Sequence, residues 1–386
     1  MSDHLTVAIV GGGIGGLSAA IAFRQAGHEA TVYEQAPKIE PLGTSLSLWP
    51  NAMACLADWG LAGDIAAKGA NIPAIAARRM GGEPYFCADL GDICTEFGQP
   101  AICVRRADLQ STLLGKLGAE HVKLSHMVET VRNGPDAAVL EFCNGDSVAA
   151  DLIVAADGIN SGIRQQILGD GPARYAGYGA WLGIADGVPN PKAHDEIAEY
   201  YGPNGRFGLC ATGSDKSYWF FVVNSATAQK SADTSPLLKD LEDWPEFTQQ
   251  LVEATPRESL VYVPFFDRPP SKVWGKGRIL LLGDAIHPFT PNLGQGACQA
   301  IEDAHVLGQI AAMNPTAKAI LPAYQRTRAK RAAMFARQSR QIGTVAQMTH
   351  PALRWLRELL LRTANARQWQ RTLRKHFTRP PLISDV

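Results

Sequence analysis

This sequence has no paired cysteines, no metal-spaced histidines, no membrane-length apolar run and no excess of charge. Its seven cysteines (Cys55, Cys87, Cys94, Cys103, Cys143, Cys210, Cys298) are odd in number, scattered and without a C-x-x-C pair. In a chain of 386 residues that argues against a disulfide framework and against a thiolate metal site. The nine histidines show neither H-x-x-x-H nor H-E-x-x-H spacing, so no metal is expected. Thirty-seven basic residues balance 37 acidic ones, leaving no global field to draw in nucleic acid. Apolar runs such as 279–282 with its flanks fall far short of a bilayer span. Residues 1–10 lack a basic start, and the glycines from Gly11 would interrupt any signal core. A cytoplasmic location is the expectation.

What is present is the composition of an ordinary globular enzyme, 46% hydrophobic and 19% charged, long enough for two lobes. The first 35 residues read strand, turn, helix, strand. Residues 5–10 form a continuous apolar run, as in a strand buried on both faces of a parallel sheet. Residues 17–25 carry helical spacing closed by Gly27, and 30–34 form the second strand. Short helices are expected over 51–59 and 107–117, and a buried strand over 150–156. Aromatics cluster from 174 to 270, and alternation in 196–200 and 207–211 suggests antiparallel strands. The parallel-strand style returns at 278–284, a helix follows over 296–313, and helical patterns continue to about residue 373. The expected organisation is α/β. A discontinuous dinucleotide lobe (1–173 and 271–345) carries an inserted sheet lobe (174–270) and a C-terminal helical segment (346–386).

The turn Gly11-Gly-Gly13-Ile14-Gly15-Gly16 satisfies G-x-G-x-x-G between a strand and a helix. Gly11 permits the tight turn, Gly13 lets a pyrophosphate approach the backbone, and Gly16 lets helix and strand pack closely. The helix N-terminus offers N–H groups and partial positive charge to phosphates. Glu34, followed by Gln35, stands where a carboxylate accepts hydrogen bonds from adenosine ribose, and it disfavours a 2′-phosphate. This motif alone does not separate FAD from NAD.

Two later segments do. Residues 151–164 contain Asp157-Gly158 after a buried strand, and residues 283–296 contain Gly283-Asp284, Pro291 and Gly294-Gln295-Gly296-Ala297 before a long helix. Together with the N-terminal fingerprint they resemble, in order and spacing, the group A flavoprotein aromatic hydroxylases, which include urate hydroxylases, hydroxyquinolone synthases and zeaxanthin epoxidase. The resemblance implies a Rossmann-type FAD lobe of the para-hydroxybenzoate-hydroxylase kind. It also implies an NAD(P)H- and O₂-consuming monooxygenase that hydroxylates an electron-rich ring through a C4a-hydroperoxyflavin. By the same resemblance Arg106 lies along the ribityl–pyrophosphate region, Asp157 and Gly158 position FAD, and Asp284 accepts from the ribityl hydroxyls. Gly294 to Ala297 and Pro291 then face the flavin ring. No second G-x-G-x-x-G occurs, so NADH or NADPH is expected to bind transiently.

Arg206 and Tyr218 coincide with substrate-contacting positions of the urate hydroxylase branch. They are equally readable as a strand arginine and a core tyrosine. His287 resembles a proton relay but stands where residues pack near the flavin. Residues 351–386 hold eight Lys/Arg against Glu358 and Asp385, with Trp355, Leu359, Leu360 and Leu361. That segment looks more like hydroxyquinolone synthases, and it reads either as a weakly membrane-associating helix or as a solvated helix packed on the lobe. A small aromatic molecule is the expected ligand, and a monomer or homodimer the expected state. A flavin-dependent alkene reductase is the rival enzyme class, and a flavin-binding regulator without turnover the third.

Overall fold

The computed structural model describes residues 4–39, 44–187, 194–213, 215–228, 234–313, 316–363 and 366–379. The strands that position the site are β1 (Thr6–Val10), β2 (Glu29–Tyr33), β3 (Ala74–Arg79), β4 (Pro84–Asp89), β5 (Val122–Lys123), β6 (Leu152–Ala155), β7 (Arg174–Asp186), β8 (Ile197–Tyr201), β9 (Gly205–Thr212), β10 (Lys216–Asn224), β11 (Val261–Asp267), β12 (Gly275–Lys276) and β13 (Ile279–Leu281). The helices are α1 (Ile14–Gln25), α2 (Pro50–Asp58), α3 (Arg106–Leu117), α4 (Gly162–Leu168), α5 (Gly296–Met313), α6 (Ala317–Ala346), α7 (Pro351–Thr363) and α8 (Ala366–Phe377).

The apolar run of β1 is buried because β2 and β6 flank it in parallel and helices cover both faces. The sheet order is β12-β13-β6-β1-β2-β5, with only the β12 edge antiparallel. α1 lies against α5, where a Cβ on Gly308 would come within 2.9 Å of the Ala22 carbonyl oxygen. That close approach joins residues almost 300 positions apart, and the parallel sheet likewise joins distant segments by pairing β6 with β13.

The second sheet runs β11-β7-β10-β9-β8-β3-β4. It is larger than the 174–270 segment expected for it. β3 and β4, from residues 74–89, extend it, and β3 joins β8 in parallel. Strand alternation gives this sheet two different faces. Phe207, Leu209, Trp219 and Phe221 turn outward into a cluster with Leu237, Trp244 and Leu251. Arg206, Gly208 and Cys210 share the inward face with Val222, Phe220 and Tyr218, to which they are paired.

α8 folds back along the dinucleotide lobe. Phe377 stacks on Trp49 at 5.2 Å, and Arg331 donates to the carbonyls of His376 and Thr378 at 2.8 and 2.9 Å. His376 is buried beside Phe335 and bonded to Gln338. Burial, reinforced by the Arg331 charge, lowers its pKa from 6.5 to about 4. The folded protein therefore keeps this imidazole neutral where the unfolded chain takes up a proton. Stability falls as pH drops from 6.5 to 4, by up to about 3 kcal/mol. Titrating tryptophan fluorescence across that window is expected to show α8 loosening, and His376→Gln to flatten the transition. An unchanged profile in that variant would remove His376 as the cause.

Candidate functional site

The turn after β1 is built by backbone crowding. Gly11 has φ +106°, and a Cβ there would fall 2.5 Å from the Ala156 carbonyl oxygen; at Gly16 it would fall 1.9 Å from that of Gly11. Gly13 differs: a Cβ on it meets nothing within 4 Å. It stands at the head of α1, which has no side-chain cap and no acid in its first turn. Uncapped N–H groups facing open space suit an anion. Ile14 is buried beneath the turn, and a Cβ on Gly15 would meet Leu282 at 2.7 Å. The Glu34 carboxylate accepts from the Gly12 and Ala36 N–H groups at 2.6 and 2.8 Å, which fixes it beside the turn with lone pairs to spare. Gln35 is exposed next to it.

The other two motifs converge on the same carboxyl edge of the sheet. Asp157 opens the turn into α4, where its Oδ2 accepts from Ile163 N–H and its Oδ1 is buried without a hydrogen-bond partner. Burial raises this carboxyl, against the pull of Ser161 and nearby N–H groups. Arg164 of the same motif donates to the carbonyls of Ala285 and Ile286 at 3.1 and 2.7 Å, so the second motif physically holds the third. Asp284 is accessible to solvent yet ringed by protein, the situation of a group lining a crevice. The surrounding protein raises its pKa, while the charges of His287 and Arg106 draw it back. Arg106 is exposed toward this side, whereas its neighbour Arg105 pairs with Asp108 at 2.6 Å.

Gly294 takes φ +60° and passes its carbonyl to Trp49 Nε1 at 3.0 Å. Gly296 then starts α5, and a Cβ there, as at Gly158, meets nothing within 4 Å. Pro291 is exposed and Ala297 half-buried along the same crevice, while Gln295 turns inward to Asn51. Open space over Gly13, Gly158 and Gly296, an orphaned buried carboxylate oxygen at Asp157, and two helix N-termini without acids fit an extended anionic cofactor with a flat ring. The donor set fits FAD.

Beneath this crevice lies a buried ionic network that sequence reading did not single out. Glu302 and Asp303 on α5 are fully buried, as is Arg328 on α6, which reaches Asp303 at 2.7 Å and also pairs with Glu302. Asp303 further accepts from Gly283 N–H at 3.0 Å and bonds His287 at 2.6 Å. Burial alone would raise the Asp303 carboxyl; His287 and Arg328 instead hold it down to about 2. Asn51 bridges Glu302 at 2.6 Å and Gln295 at 3.0 Å. His287 is therefore a buried anchor of the Asp284 turn and not a relay open to the crevice. The available signal was two adjacent acids, Glu302 and Asp303, inside an otherwise apolar helix pattern.

On the sheet side, all three arms of Arg206 are engaged. They bond Glu199 at 2.9 Å, Gln347 at 3.1 Å and the side chain of Asn292, next to Pro291. Asn292 in turn donates to the Tyr178 hydroxyl at 2.8 Å. Arg206 is thus fully buried and ties the sheet to the loop before α5. Tyr218 stands twelve positions on, further along the same inward face, half-buried near Thr44. Burial pushes its phenol further above the ordinary range, in which it is already protonated at neutral pH.

The FAD binding domain family matches residues 4–339. The chain belongs to that family. It is 35% identical to the aurachin C monooxygenase/isomerase of Stigmatella aurantiaca, over 99% of this chain and all of that one. It is 33% identical to an FAD-dependent urate hydroxylase of Klebsiella pneumoniae over 84% of this chain and 85% of that one. The crystal structure of Klebsiella pneumoniae HpxO with FAD and uric acid superposes with a TM-score of 0.91 at 29% identity, over 98% of each chain. The family member described here is an FAD-dependent aromatic hydroxylating monooxygenase, and NAD(P)H and O₂ are consistent with that class. Among the described residues no helix is long and apolar enough to cross a membrane, and no cluster could hold a metal ion.

Proposed function

We propose that the substrate is a flat, largely apolar aromatic or N-heterocyclic molecule of quinolone type. It would lie on Phe220, between the inward sheet face and the loop before α5. One observation carries this reading. A Cβ on Gly208 would fall 1.9 Å from the tip of the Phe220 ring, so the missing side chain at 208 lets that partly buried ring reach across the inward face. Leu182, Ile184 and Tyr218 continue the same face, half-buried. The charged groups nearby, Arg206 and Glu199, satisfy each other and Asn292, leaving few free partners for a ligand polar around its whole rim.

Bound FAD supplies electron transfer from NAD(P)H and the activation of O₂. Glu34 would accept from the ribose hydroxyls, and the first-turn N–H groups of α1 would hold the pyrophosphate. Asp284 and Arg106 would line the ribityl chain. The N-terminus of α5 would turn N–H groups and its dipole toward the cofactor's ring. Apolar side chains of the inward sheet face keep water from the oxygen-transfer step. Tyr218, held protonated, donates a hydrogen bond to the substrate oxygen and steadies the ring for attack.

Urate is the second reading, supported by the superposition on HpxO holding uric acid. Measuring NAD(P)H oxidation with an alkyl-substituted quinolone and with urate separates them. Stimulation of tenfold or more by the quinolone alone is expected; stimulation by urate alone would overturn the apolar reading.

A further inference from the structure

α7 is amphipathic the wrong way round. Arg357, at its centre, is buried, with its guanidinium 5.2 Å over the Tyr201 ring and a 2.8 Å bond to the Ala346 carbonyl. Glu358 is paired with Arg79 on the same inner side. The opposite side carries Trp355, Leu356, Leu359 and Leu360, at positions i, i+1, i+4 and i+5, which form one stripe on a helix. Trp355 is 67% exposed and Leu360 57%, with Leu353 and Val345 exposed at the near end. Scattered surface leucines need no explanation, but a contiguous apolar stripe on a helix whose polar face is spent inward does.

The charge around the stripe selects its occupant. Of the eight Lys/Arg in 351–379, Arg357 is buried and Arg374 and Arg379 pair with Glu96 and Asp58. Arg362 borders the stripe, and Arg362, Arg371 and Lys375 are exposed. A second copy of this chain would bring the same positive surface onto itself. An anionic lipid surface would instead take the apolar side chains among its acyl chains and the arginines among its headgroups, with tryptophan at the boundary. We propose that α7 seats the protein on an anionic membrane surface, apolar stripe down. The inner side of the helix lies against β4 and Tyr201, so the seat adjoins the sheet that faces the substrate crevice. The seating rests on α7 alone and stands whichever ring compound is the substrate.

Flotation of the FAD-loaded full-length protein with vesicles tests this. Co-flotation is expected with phosphatidylcholine vesicles containing phosphatidylglycerol, at least fivefold less with phosphatidylcholine alone, and weakening in high salt. Trp355→Ser with Leu359→Ser should abolish flotation while FAD content and NAD(P)H oxidation are unchanged, since both side chains point away from the fold. Light scattering is the second readout. Failure of the wild type to float overturns the proposal. So does a concentration-dependent dimer that the double variant converts to monomer without any vesicle binding.

Discussion

Replacing Arg328 by alanine is expected to destabilise the protein by about 3–5 kcal/mol, the cost of breaking a buried ion pair from one side. The side chains of Arg328, Glu302 and Asp303 are all fully buried, so water cannot take the place of the lost guanidinium. Arg331 still holds Glu302 at 2.8 Å, and His287 still holds Asp303, so the damage concentrates on Asp303. With Arg328 gone, the carboxyl that is now held down to about 2 moves up toward neutrality. Wild-type Asp303 contributes stability that is fully present above the unfolded value of 3.8. That contribution, about 2 kcal/mol, is lost as pH falls toward 2. In the variant the folded carboxyl lies above 3.8, so ionised Asp303 costs stability at pH 7 and that cost shrinks as pH falls. Thermal unfolding at pH 7 and pH 4 measures both effects. A melting point within a degree or two of wild type at pH 7 would mean that the network contributes nothing net. The effect should also reach function, because Asp303 anchors Gly283 and His287 on either side of Asp284.

That network shows where sequence reading stopped. Motifs whose meaning lies in the backbone were legible: the glycine turn, the Asp157-Gly158 turn and the Gly294 helix start each report a conformation that only certain residues adopt. Phe220 and Phe221 could be assigned to opposite faces from strand alternation, and Phe221 is in the core while Phe220 is partly buried on the other face, packed against Tyr178, Val222 and Phe265. Side-chain partnerships over long separations were not legible. Arg328 meets Asp303 across 25 positions, Asn51 meets Glu302 across 251, and Arg206 meets Asn292 across 86. Nothing local marks such pairs, because each residue taken alone is an ordinary helix or strand residue. The recruitment of β3 and β4 into the large sheet was hidden for the same reason, since parallel pairing of β3 with β8 links segments more than a hundred residues apart. The orientation of α7 was half visible. Its composition announced an amphipathic basic helix, but which face turned inward depended on Tyr201 and the Ala346 carbonyl finding Arg357.

Gly13→Val is expected to give a folded protein that does not hold FAD, with affinity reduced roughly a hundredfold or more, about 3 kcal/mol. The argument rests on contrast within one turn. At Gly16 a Cβ would sit 1.9 Å from the Gly11 carbonyl oxygen, a backbone atom that cannot step aside. Gly16→Val therefore removes the fold along with the site. Gly13 has φ −77° and ψ −177°, an extended conformation that valine adopts without strain. A Cβ there meets no protein atom within 4 Å. Nothing in the apoprotein calls for glycine at this position; only the approach of a phosphate to the N–H groups of α1 does. Circular dichroism and a melting curve close to those of wild-type apoprotein, together with colourless protein and no flavin retained on titration, would locate the pyrophosphate over Gly13. Full flavin occupancy in Gly13→Val would show that the cofactor does not lie there. Loss of the fold would show that Gly13 is packed, contrary to its open surroundings. The test thus separates the glycine that the chain needs from the glycine that the ligand needs.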